Sequence, residues 1–142
     1  MTDSSKSPRF DYNSLSEAFP EVDPGVRPFG ARVLVQIRTP KTRSAMGIVL
    51  PEETRQTELW NTQVAKVLAI GPGAFRNRDT NEEWPEGAWC KVGAYVRIPK
   101  YNNDRWEVPT PDKSEKAMFV LIRDLDILGE QYSNPLEVLA FI

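Results

Sequence analysis

Histidine is absent from the 142 residues, and cysteine occurs once, at Cys90. The first absence removes Ser-His and Cys-His nucleophilic sites and any imidazole metal site. The second removes a thiolate cage and an internal disulfide framework. A lone cysteine fits a reducing compartment, and the expectation is a cytoplasmic protein, in the host cytoplasm if virus-encoded. Long apolar runs are missing too: no window approaches the roughly 18 residues that span a bilayer, and residues 1–25 lack the apolar core of a signal peptide. No membrane role is expected. Charge of one sign is scarce. With 18 basic and 20 acidic residues mixed along the chain, the formal net charge is −2, so no polybasic footprint nominates nucleic acid. A strand followed by Gly-x-Gly-x-x-Gly is also lacking, so no dinucleotide site is expected. Glu52-Glu53 and Glu82-Glu83 read as solvated loop charge rather than as an acid/base pair.

What is present is a series of short β signals. At 40% hydrophobic content the chain can build one modest core. Residues 1–25 are rich in Ser, Asp and Pro and predict a flexible extension. Within it, Ser14-Leu15-Ser16-Glu17 has capping-box spacing. It predicts a short helix with Leu15 and Phe19 on one face, stopped by Pro20, and either tacked onto its own barrel or left disordered. From Val26 onward "ARVLVQIR" alternates, with Val33, Val35 and Ile37 on one face, and predicts a half-buried strand. "TQVAKVLAIGPG" predicts a second strand over 64–70, ended by Gly71-Pro72-Gly73 as a turn with a positive-φ residue. "KVGAYVRIP" predicts a third that places Val92, Val96 and Ile98 together, and "KAMFVLIRDLDIL" a fourth. Residues 74–91 and 99–116 are long spacers, read as excursions from the domain. The whole is an all-β class, a small barrel or sandwich.

One stretch resists this reading. Ile48-Val49-Leu50 is as apolar as a core strand, yet it lies between "TPKTRSAMG" and "PEETRQTE", both loop-like. "VRPFGARVLVQI", "TRSAMGIVLPE", "AKVLAIGPG", "KVGAYVRIPKY" and "VLIRDLDILG" follow one another collinearly over about residues 26–130, and in that order the chain resembles the co-chaperonin family, GroES and its relatives.

The resemblance implies a GroES-like small irregular β-barrel over 26–130 that assembles as a ring, a homo-heptamer. It implies a mobile loop over about 39–60, in which Ser44, Ala45, Met46, Gly47, Ile48, Val49 and Leu50 dock on a large GroEL-like chaperonin. Burying three aliphatic side chains yields roughly 1.5–3 kcal/mol each, against about 1–2 kcal/mol per residue ordered. A single loop is therefore weak, and many loops on one ring bind by effective concentration. The resemblance also implies a roof hairpin in the 74–91 excursion, with Arg76, Asn77, Arg78 and Asp79 near its tip. A subunit interface would be built from Arg27, Phe29 and Arg32 against Leu125, Ile127 and Leu128. The function implied is a non-enzymatic lid that caps the ATP-bound ring over non-native client protein, itself holding no cofactor, metal or nucleotide.

Several features depart from the family. Met46 replaces a customary glycine, the roof lacks its customary Asn-Gly turn, and both ends are extended, the last (131–142) conspicuously apolar. A lid so elaborated would suit a phage that reshapes a host folding chamber. The competing reading is a monomeric barrel that binds an extended peptide or single-stranded nucleic acid through rings beside arginine, such as Phe75-Arg76 and Arg105-Trp106.

Overall fold

A computed structural model describes residues 15–39, 62–100, 103–113 and 116–136. One short helix, α1 (Leu15–Ala18), precedes six strands: β1 (Arg32–Ile37), β2 (Val64–Ile70), β3 (Tyr95–Arg97), β4 (Asp104–Pro109), β5 (Lys116–Arg123) and β6 (Gly129–Glu130). They form a single antiparallel sheet in the order β4-β5-β1-β2-β3-β6. This is the all-β, GroES-like barrel architecture.

The two faces of the sheet are unequal. The inner face carries Val33, Val35 and Ile37 of β1, Ala65 and Val67 of β2, Val96 of β3, and Met118, Val120 and Ile122 of β5 in one buried cluster. A smaller outer cluster holds Leu34, Ala117 and Phe119, with Leu68, Ala69, Trp106, Val108 and Leu121 against it. A bulge in β2 serves both faces. Leu34 opposes Ala69 and Val35 opposes Val67, which leaves Leu68 as the extra residue. Two successive side chains, Leu68 and Ala69, thus join the outer cluster, and the strand bends more sharply than a regular ladder would.

Several local expectations change. β1 is buried on both sides rather than half-buried: Gln36 and Arg38 are as covered as Val35 and Ile37. The N-terminal segment supplies the cover. Val22 packs on the outer cluster, Gln36 Nε2 donates to the Pro20 carbonyl at 2.8 Å, and Trp106 Nε1 donates to the Pro24 carbonyl at 3.1 Å. Residues 15–25 therefore lie against the barrel, while 1–14 fall outside the described residues. Phe19 is buried, but Leu15 is 43% exposed, so the two do not share a packed face.

The 99–116 spacer contains a strand, β4, paired along its whole length with β5. Val92 lies outside β3 and is exposed, away from Val96 and Ile98. In Gly71-Pro72-Gly73 neither glycine has a positive φ. The need there is proximity: a Cβ on Gly71 would sit 2.4 Å from the Gly30 carbonyl oxygen and 2.8 Å from that of Arg32. The positive φ belongs to Gly30 on the facing chain.

Candidate functional site

Three features of this barrel carry or adjoin the residues singled out on sequence: the ends from which the 40–61 connection departs, a hairpin at 75–84, and an exposed apolar strip where β1 begins and β5 ends.

The 40–61 connection joins neighbouring antiparallel strands. Ile37 opposes Ala65, and Arg38 N donates to Val64 O at 3.2 Å, so the two ends leave side by side. On the β2 side, Gln63 exchanges bonds with Ile98: Ile98 N donates to Gln63 O at 2.9 Å, and Gln63 Nε2 donates to Ile98 O at 3.0 Å. Thr39 and Thr62, the last and first described residues flanking the connection, are both buried. Ser44, Ala45, Met46, Gly47, Ile48, Val49 and Leu50 lie outside the described residues.

The 74–91 excursion holds a small hairpin. Trp84 N donates to Phe75 O at 3.1 Å, Arg76 bridges to Glu83, and Asn77 N donates to Glu82 O at 2.7 Å. The Asn77 side chain caps the turn, its Oδ1 accepting from Asp79 N at 2.8 Å and Thr80 N at 3.1 Å. Asn81 takes the left-handed conformation, φ 62°, that asparagine tolerates better than most residues. Asn77, Arg78 and Asp79 thus sit in the exposed turn, and Arg76 stands at its base with Nη1 on the Asn81 carbonyl at 3.0 Å. Phe75, Trp84 and Trp89 form the aromatic foot, with ring centroids 4.9–6.2 Å apart.

Asp124 ties hairpin to barrel, and the sequence reading overlooked it. It is buried; Oδ2 accepts from Phe75 N at 2.8 Å and Oδ1 from Leu125 N at 2.7 Å. Its own N–H donates to Ala31 O at 2.9 Å. One residue therefore joins the foot of the hairpin and the end of β5 through its carboxylate, and the approach to β1 through its backbone N–H. Phe75 is held at φ 61°, rare for a bulky side chain, with its N–H and carbonyl both bonded. The available signal was weak: Asp124 is one of three charged residues, with Arg123 and Asp126, that interrupt the apolar run "VLIRDLDIL".

Around this tie the surface is apolar. Phe29 is 79% exposed, and Leu125 and Leu128 are 64% exposed each. Arg27 and Arg32 are exposed as well. Ile127, grouped with them on sequence, is 5% exposed and belongs to the inner core. Between hairpin and barrel runs a groove of about 640 Å³ lined by Arg32, Arg76, Trp84, Trp89, Arg123 and Leu125, among others.

Chemically these are surfaces for contact. Cys90 is buried, and burial first, then the Glu130 charge, push its thiol up to about 11, so it presents no thiolate at neutral pH. The rings proposed for base stacking are otherwise engaged: Phe75 is buried, and Trp106 packs on Phe119 at 6.0 Å. Residues 25–130 match the family model described as chaperonin 10 Kd subunit.

Proposed function

The chain belongs to the chaperonin 10 Kd subunit family, and from that premise we propose that it is the lid of a large chaperonin, closing the ATP-bound ring over non-native protein. The grip is Gly47-Ile48-Val49-Leu50, with Ser44, Ala45 and Met46 leading into it. The observation that carries this reading is the departure of 40–61 from two paired strand ends. A connection rooted in that way can present a short aliphatic segment away from the barrel while its ends stay fixed. One segment buries little area, so the lid binds as a homo-heptamer in which each docked copy raises the effective concentration of the next.

The ring interface forms from Arg27, Phe29 and Arg32 of one copy against Leu125 and Leu128 of its neighbour. Exposed aliphatic and aromatic side chains at 64–79% are the kind of surface a folded chain covers by association. Ile127 supports that face from beneath. The hairpin tip, Asn77, Arg78 and Asp79, forms the roof. The lid is non-enzymatic, works in the cytoplasm, and leaves nucleotide hydrolysis to the large ring.

The test is refolding of a chaperonin-dependent client with large ring and ATP, with and without this protein. The expected result is a higher yield with the wild type and none of that gain with Ile48→Asp/Leu50→Asp. Equal yields for both would overturn the assigned grip. Binding of single-stranded oligonucleotide at low salt, with no effect on refolding, would favour the monomeric binding module instead.

A further inference from the structure

The two terminal extensions converge on one place, the end of β1 where the 40–61 connection starts. From the N-terminal side, the Ala18 carbonyl at the end of α1 accepts twice from Thr39, from its backbone N–H at 2.8 Å and from its Oγ1 at 3.0 Å. Carbonyls in the last turn of a helix have no partner within it, so this one is available to the barrel. From the C-terminal side, the Pro135 carbonyl accepts from Arg38 Nη1 at 2.8 Å, with Arg38 itself 1% exposed and Pro135 buried. The two arms also meet on Tyr95 of β3. Phe19 packs on its ring at 5.3 Å, while its carbonyl accepts from Gln131 N at 2.8 Å. Residues 36–39 are thereby held from both sides.

We propose that the N-terminal segment 15–20 and the C-terminal segment 131–136 form a clasp on the root of the 40–61 connection and pre-organise it for docking. The functional half rests on the lid reading above. Fixing the root restricts the directions in which the connection can leave. A segment with fewer free conformations to lose binds more tightly for the same contacts. Cutting either arm of the clasp frees residues 38–39 without altering a docking side chain.

The experiment compares wild type, Phe19→Ala, Arg38→Met and the milder Thr39→Val. Amide hydrogen exchange is read on each protein alone, and nucleotide-dependent capture by a large chaperonin ring is read separately. Exchange at residues 36–39 should rise about tenfold in Phe19→Ala and Arg38→Met and less in Thr39→Val. The β1–β5 ladder at Val33 and Val35 should stay protected, which shows that the barrel is folded. Capture should weaken several-fold in the same order. Unchanged exchange at 36–39 overturns the clasp. Faster exchange with undiminished capture overturns its role in docking. A wild-type protein that is never captured overturns the lid reading, and exchange on the free protein then judges the clasp by itself.

Discussion

Gly71 is small because two carbonyl oxygens occupy the space a side chain would take. Its N–H donates to Arg32 O at 2.8 Å, which draws the 71–73 turn onto the Gly30–Arg32 segment. Gly71→Ala would force backbone against backbone, so a loss of about 1–3 kcal/mol is expected in urea denaturation. Gly73, whose nearest neighbours would be 3.3 Å away, should tolerate alanine better. The sequence showed that a turn lay here but misjudged the reason. "GPG" signals chain reversal through local chemistry, whereas the demand comes from a strand start about forty residues earlier. Asp124 illustrates the same limit, because the Phe75 N–H that its carboxylate holds lies in a segment about fifty residues earlier. Cys90 yields a pH prediction. Its folded thiol keeps its proton up to about 11, above the ordinary value of 9.0. The stability this confers is complete below pH 9 and lost as pH rises from 9 toward 11, since only the unfolded chain ionises in that window. The urea midpoint should therefore fall more steeply over that range in wild type than in Cys90→Ala; parallel curves would show that Cys90 contributes nothing there.

At the scale of elements, the alternation of β1 and the continuous apolar run of β5 were legible. Each strand's inner face repeats every second residue: Val33, Val35, Ile37, and Met118, Val120, Ile122. What alternation could not show was that the other face is covered too. Gln36 and Arg38 look solvent-facing until Pro20 and Pro135 supply carbonyls from distant segments. β4 was invisible for a related reason. Asp104-Arg105-Trp106-Glu107 has little apolar content because it is an edge strand, half-buried, whose hydrogen bonds to β5 carry it. The 75–84 hairpin depends on one side chain at its turn. Asn77→Ala removes the acceptor for two backbone N–H groups. Tryptic cleavage after Arg78 should then be several-fold faster, with the barrel intact. An unchanged cleavage rate would show that the aromatic foot alone sets the hairpin's order.

For the whole molecule, collinearity of five short stretches carried the family, and no single stretch would have done so. The residues proposed for the subunit interface divide by exposure. Phe29, Leu125 and Leu128 stand on the surface, while Ile127 turns inward, because the strand period is broken by a 3-10 turn at Asp124–Asp126 and the following residue joins the core. Sequence periodicity does not extend through such a turn. The segment proposed for docking stood out on sequence as an anomaly, three aliphatic residues between loop-like stretches, and it lies outside the described residues. The terminal extensions, by contrast, gave little sign of where they attach. Most of the hydrogen bonds that hold them end on backbone carbonyls, of Ala18, Pro20, Pro24 and Pro135, a group every residue carries.

The central claim, a multi-copy lid that grips through Ile48-Val49-Leu50, is tested most directly by native mass spectrometry of the protein alone and mixed with a large chaperonin ring and ATP. The account predicts a heptamer that joins the ring only with nucleotide. It predicts that Ile48→Asp/Leu50→Asp stays heptameric and no longer joins. A monomer that never associates under either condition would contradict it.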